Sequence, residues 1–406
     1  MARPVLEVAD IVSQHGAAFL QACGASLSRV QRRALRAIGI CRTAVLGGHR
    51  DQCDRCGHQV IAYNSCRNRH CPKCQSLAKA QWLAARQAEL LPVPHFHVVF
   101  TLPEQLAPLV LQNPRRLYNL LFRAASETLL RIAADPKHLG ARIGFLAILH
   151  TWGQNLCHHP HLHCVVPGGG LSADGQHWIA CRPGFFLPVR VLSRLFRHLF
   201  LEGLQQLVDQ GQLEFHGQLQ PLASTPAFAQ LLRDCRQTDW VVYAKRPFGG
   251  PARVLDYLGR YTHKVAISNH RLLKLENGQV WFHWNDYRHG QRHKVMTLAA
   301  TEFLRRFLLH ILPEGFVRIR HFGLLANRHR AHNLALCRQR LAVAEPTTPP
   351  DSDPAPSDCT ERYQQLTGVD LSRCPQCGVG RLLRIQILPT PPSYRSGWAC
   401  AQGDSS

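Results

Sequence analysis

The 406-residue chain contains no uncharged apolar run approaching the length of a bilayer span, and it is not read as crossing a membrane. Its start, from Met1 to Asp10, lacks a positively charged stretch followed by an apolar one, so no secretory leader is evident. The expected location is therefore a cytosol, where thiols stay reduced. No repeat of fixed period runs along the chain, which argues against a solenoid or propeller. Acidic residues are scarce: 26 Asp and Glu face 48 Lys and Arg, a formal charge of +22. That surplus attracts polyanions, phosphate backbone above all. The cations are scattered rather than gathered in one amphipathic segment, so a membrane surface is the weaker partner.

Hydrophobic residues make up 45% of the chain, enough for packed cores, and the length calls for two or three domains. Apolar spacing predicts helix from about Val5 to Leu46, from Ser76 to Leu91, from Pro114 to Ala134 and from Val189 to Leu207. It also predicts helix from Ala252 to Tyr261 and from Thr297 to Ile311. Strands are expected at His95–Leu102, Ile143–Trp152, His161–Val166 and Trp240–Ala244, with a hairpin around Asn277-Gly278. This mixture predicts an α+β fold, an antiparallel sheet with helices on its face, preceded by a small helical metal-binding domain. The expected boundaries are 1–92 for that domain and 93–340 for the main domain. A Pro-rich linker over 341–358 (EPTTPPDSDPAPSD from Glu345) and a tail over 359–406 complete the chain.

Cys53-Asp-Arg-Cys56 and Cys71-Pro-Lys-Cys74 are two Cys-x2-Cys pairs whose spacing suits one structural Zn²⁺ with four thiolates and no open position. Cys66 and His70, four apart, are alternative or outer members of that shell. Arg67 and Arg69 beside the site are candidates for DNA contact. Cys374-Pro-Gln-Cys377 is half of a second site, with Cys359 and Cys400 as partners at awkward spacing.

In the segment His158-His-Pro-His161-Leu-His163, strand alternation puts His161 and His163 on one face. If the flanking strand pairs antiparallel, His150 lies opposite them and completes a metal-binding trio; His159, of the same parity, is the rival third ligand. His95 and His97 form another His-x-His but lack an obvious third partner. Tyr257 and Tyr261, at i and i+4 on an expected helix, share one face. Aromatics so spaced ordinarily pack a core, but Arg253, Arg260, His263 and Lys264 surround these two with positive charge.

Taken in order, NSCRNRHCPKCQ, HPHLHCVVPGGG and YLGRYTHKVAISN resemble the IS91 family of insertion-sequence transposases, within the His-hydrophobic-His endonucleases. The resemblance spans roughly residues 30 to 330. It implies a metal-assisted transesterification on single-stranded DNA, with Mg²⁺ or Mn²⁺ on His161 and His163. It further implies a tyrosine nucleophile (Tyr257 or Tyr261) and a 5′-phosphotyrosine intermediate, as in rolling-circle transposition. Single-stranded insertion-sequence ends and target DNA are the implied partners. Two other functions are compatible with parts of the sequence. A zinc hydrolase with a three-His site would leave the tyrosines without a role, and a zinc-ribbon DNA binder would leave the histidines without one.

Overall fold

The computed structural model describes residues 4–245, 253–254, 259, 266–286, 292–342 and 359–391. The apolar run from Val5 to Leu46 folds as two helices, α1 (Val8–Cys23) and α2 (Arg29–Ile40). They part at a single turn over Gly24–Ser26. Ser28 restarts the helix: its hydroxyl accepts from the Gln31 N–H at 3.3 Å, while Gln31 Oε1 accepts from the Ser28 N–H at 2.9 Å. This reciprocal pair satisfies two backbone donors that a helix start leaves open. Strands β1 (Gly48–Cys53) and β2 (Gln59–Tyr63) form a hairpin in the Cys-rich segment, and α3 (Ser76–Glu89) follows.

Next come β3 (His95–Thr101), α4 (Ala107–Gln112), α5 (Pro114–Ala134), β4 (Gly144–Trp152) and β5 (His158–Pro167). Short strands β6 (Gly169–Leu171) and β7 (Trp178–Ala180), helices α6 (Val189–Asp209) and α7 (Thr225–Gln237), and β8 (Val242–Lys245) complete this stretch. Strands β9 (Leu272–Glu276) and β10 (Gln279–Asp286) flank Asn277 and Gly278, both at positive φ, as the Asn-Gly turn signal predicts. The helix expected from Thr297 begins later, as α8 (Ala300–Leu308), because Thr297 to Ala299 finish strand β11 (Arg292–Ala299) against β10. The remaining elements are β12 (Ile319–Gly323), α9 (Arg330–Arg340), α10 (Cys359–Thr367) and β13 (Leu382–Leu388). No helix among the described residues is long and apolar enough to cross a membrane.

The chain divides into two compact units, though not in chain order. One gathers the described residues of Met1–Ala84, His263–Ile311 and Pro349–Ser406; the other gathers those of Ala85–Thr262 and Leu312–Thr348. This differs from the expected succession of domain, linker and tail. The tail does not stand apart: β13 pairs antiparallel along β1, giving a three-stranded sheet in the order β13-β1-β2. In the same unit α1 packs on α2 and α8, and β9, β10 and β11 form a second three-stranded sheet.

The other unit is built on an antiparallel five-stranded sheet, order β12-β4-β5-β3-β8. Alternation sends Phe96, Val98 and Phe100 of β3, Phe145, Ala147 and Leu149 of β4, and Leu162, Cys164 and Val166 of β5 into one core with α4 to α7. Fully buried Phe122, Phe196 and Phe200 supply much of its volume from the helix side. The fold is the expected mixture of helices and antiparallel sheet.

Candidate metal centre and cysteine clusters

The face of the five-stranded sheet opposite that core carries the histidines. Leu162, fully buried, fixes the parity of β5, so His161 and His163 both turn to the other face. On β4 the register sets His150 opposite His161 and Ile148 opposite His163. Ligand atoms of His150, His161 and His163 consequently lie within 4.8 Å of one another. His150 and His163 are buried and His161 is half-buried, so the trio opens on the His161 side.

His159 shares the sequence parity but is not a member of the trio. Between His150 and Trp152 the pairing jumps from His161 to His158, so three steps on β5 span two on β4. The extra residue is accommodated as a bulge, which removes His159 from the simple alternation and leaves it exposed. The His159 carbonyl instead lies 2.6 Å from His161 Nδ1, an N–H···O contact that leaves His161 Nε2 for a metal.

Sequence reasoning missed the role of His97. Its Nε2 lies 2.8 Å from His163 Nδ1, and the two rings stack with centroids 5.1 Å apart. Burial pushes His97 down to about 3, with Lys245 and His161 adding repulsion. Burial likewise pushes His161 down to about 4 and His163 well below the usual range; His150, His161 and His97 crowd the latter further. These imidazoles are neutral at physiological pH, the form that binds a cation.

The cysteines assemble differently from the expectation. Cys53, Cys56, Cys71 and Cys74 do not share one site. Cys71 and Cys74 meet Cys41 and Cys66, while Cys53 and Cys56 meet Cys374 and Cys377. Each set has its ligand atoms within 4.8 Å of one another, and all eight thiols are free of disulfides. The physical reason is the β1–β13 pairing, which brings the tail knuckle to the end of β1 and takes Cys53 and Cys56 away from Cys71 and Cys74. Cys41 went unnoticed because it belongs to no Cys-x2-Cys pair. Cys66, read as an outer or alternative member, sits inside the cluster with its Sγ 3.7 Å from Cys74 Sγ. His70 is buried close by in sequence but is not among the four.

In the Cys41–Cys66–Cys71–Cys74 set, hydrogen bonds from Cys66 and Cys71 draw Cys41 down to about 7. Cys74 is lowered too, while Cys66 and Cys71 are raised, because four adjacent thiols cannot all ionise without a cation among them. A divalent ion resolves that conflict, and the set fits a structural Zn²⁺.

Of the remaining sequence candidates, Arg67, Arg69 and Arg253 are exposed, and Arg67 adopts a positive φ of 52°. Tyr257, Tyr261, Arg260, His263 and Lys264 lie outside the described residues, as does Cys400. Cys359 opens α10.

Comparison with known proteins agrees with these features. Residues 144–333, which include the three histidines, match a family described as "Putative transposase", and residues 11–102 match one described as "Transposase zinc-binding domain". The "Transposase for insertion sequence element IS801" of Pseudomonas savastanoi pv. phaseolicola is 32% identical over 83% of this chain and 79% of its own length. The "Putative transposase y4qJ" of Sinorhizobium fredii is 59% identical over 95% of this chain and 96% of its own. No solved structure matches at a significant level. On these similarities the chain belongs to the IS91 family of transposases, proteins that bind, cut and rejoin DNA.

Proposed function

We propose that this transposase cuts and rejoins single-stranded DNA at insertion-sequence ends by rolling-circle chemistry, with a tyrosine as nucleophile and a divalent cation on His150, His161 and His163. The observation that carries the reading is the convergence of those three imidazoles on one face of β4 and β5. Mg²⁺ or Mn²⁺ held by these histidines would supply Lewis-acid stabilisation of charge on the scissile phosphate. Imidazole is a second choice for Mg²⁺, so oxygen donors from phosphate and water would be needed besides the three histidines. The hydroxyl of Tyr257 or Tyr261 attacks phosphorus, the bond to the 3′ oxygen breaks, and a 3′-OH leaves. The 5′-phosphotyrosine keeps the energy of the broken ester, so rejoining needs no nucleotide cofactor. The second tyrosine serves the second cleavage or the strand exchange.

The all-imidazole donor set also suits Zn²⁺ with water as nucleophile, which is the second reading. One experiment separates the two. Labelled single-stranded DNA carrying the element's own end is incubated with protein and Mg²⁺ or Mn²⁺, then run on a denaturing gel. A covalent band that needs metal and vanishes in the Tyr257→Phe/Tyr261→Phe double variant is expected. Metal-dependent cleavage without such a band would establish the hydrolase instead. DNA binding with neither would leave the protein without the proposed chemistry.

A further inference from the structure

The thiols of Cys53, Cys56, Cys374 and Cys377 come from opposite ends of the chain. Cys53 Sγ lies 3.7 Å from Cys377 Sγ, and Cys56 Sγ lies 3.7 Å from Cys374 Sγ. A disulfide needs sulfurs in bonding contact, at about 2.05 Å. A tetrahedron with Zn–S bonds of about 2.3 Å has edges of about 3.8 Å. The observed separations are those of the tetrahedron.

The two Cys-x2-Cys segments are also folded alike, although more than half the chain separates them. Cys53 and Cys374 each accept, at their carbonyl, from the glycine that follows the second cysteine: Gly57 N at 3.1 Å and Gly378 N at 3.0 Å. Those glycines adopt φ of 72° and 66°, the left-handed conformation that closes such a knuckle. The Cys53 N–H donates to the His58 carbonyl and the Cys374 N–H to the Gly380 carbonyl, both at 2.8 Å. Backbone N–H groups point at sulfur in both: Arg55 N at 3.4 Å from Cys53 Sγ and Gly380 N at 3.3 Å from Cys377 Sγ. A Cβ on Gly380 would lie 2.5 Å from Cys53 Sγ, so the tail passes the sulfur only as glycine. Asp54 seals the junction, accepting from Arg381 N at 2.8 Å through its carboxylate and donating its own N–H to the Arg381 carbonyl at 3.0 Å.

The residues matched to the transposase zinc-binding domain, 11–102, contain all four thiols of the Cys41–Cys66–Cys71–Cys74 set but only two of this one. We propose that Cys53, Cys56, Cys374 and Cys377 bind a second structural Zn²⁺, a zinc ribbon assembled from the two ends of the chain that fastens the C-terminal segment to β1. Two ions are then bound per chain, and the second closes a loop of more than three hundred residues. Closing so long a loop restricts the unfolded chain strongly.

The test is metal content of the purified full-length chain, measured by plasma emission. Two zinc ions per chain are expected, falling to one in Cys374→Ser/Cys377→Ser and to one in Cys53→Ser/Cys56→Ser. Cobalt(II) replacing zinc should give tetrahedral thiolate bands that halve in both double variants. In Cys377→His the content should stay at two ions, while the cobalt bands move toward those of a three-sulfur, one-nitrogen site; this variant separates lost ligation from lost folding. Undiminished zinc in Cys374→Ser/Cys377→Ser, or a cobalt spectrum unchanged in Cys377→His, would overturn the proposal. These readouts do not depend on cleavage of DNA.

Discussion

His97 stands next to the trio of His150, His161 and His163 rather than in it, and its contact with His163 fixes which nitrogen His163 can offer. With His163 Nδ1 engaged 2.8 Å from His97 Nε2, the other ring nitrogen of His163 is left for a cation. Partners of this kind typically change metal affinity by about 10–100-fold when removed. His97→Phe keeps the ring stack but deletes the nitrogen, so Mn²⁺ affinity measured by calorimetry is expected to fall within that range, with the melting temperature little changed. Unaltered affinity would mean that His97 only packs. The glycine run after β5 makes a different demand. A Cβ on Gly170 would come within 2.2 Å of the Arg142 carbonyl oxygen, where β6 meets the segment leading into β4. Backbone cannot yield there as a side-chain tip would. Gly170→Ala is therefore expected to destabilise the fold by about 1–3 kcal/mol, read as a lower urea midpoint.

Among the elements, β5 does the most positioning, and Leu162 sets it. It is fully buried between Leu149 and Phe100, its partners in register on β4 and β3. Leu162→Ala should cost about 2–5 kcal/mol by denaturant titration, with metal still bound by the folded fraction. A loss below about 1 kcal/mol would show that β5 is held by its ladder alone. This alternation is also why the His trio was legible in the sequence. His-Leu-His is a period-two pattern, and the predicted hairpin placed His150 opposite it. What could not be read were pairings between distant segments. His97 and His163 are 66 positions apart, and nothing local announces that β3 lies beside β5. The tail reads as half a site for the same reason: its partners, Cys53 and Cys56, stand at the end of β1 and in the turn after it, and the intervening Pro-rich stretch gives no hint of return. Spacing favoured joining Cys53–Cys56 to Cys71–Cys74 because they are near in sequence, whereas strand pairing favoured Cys374–Cys377. The start of the strand expected at His161 and the start of α8 each moved by a few residues, where β-pairing extended beyond the apolar pattern.

Across the whole molecule two properties follow from composition and burial. The charge of +22 predicts that affinity for single-stranded DNA falls linearly in log K against log salt, by about 0.7 for each phosphate neutralised. A flat salt response in a fluorescence titration would contradict a phosphate-dominated contact. Protons give the second property. Burial pushes His95, His158 and His321 each down to about 4, from an ordinary value near 6.5. His321 is further repelled by Arg86 and Arg330, which also occupy the nearby Glu89 carboxylate and leave it little power to hold a proton on the imidazole. Above about pH 6.5 the folded and unfolded chains both carry these imidazoles neutral, and they add no pH dependence. Below it the unfolded chain takes up protons that the folded chain refuses, until about pH 4. Stability is therefore lost on acidification through that window, by up to about 1.4 kcal/mol per pH unit for each histidine. Through these histidines the melting temperature should fall progressively from about pH 6.5 to 4.5. His321→Leu should make that descent shallower by roughly one proton's share. A melting temperature level down to about pH 5 would show that these histidines are solvated when folded, and that the histidine-bearing sheet is more open than its packing indicates.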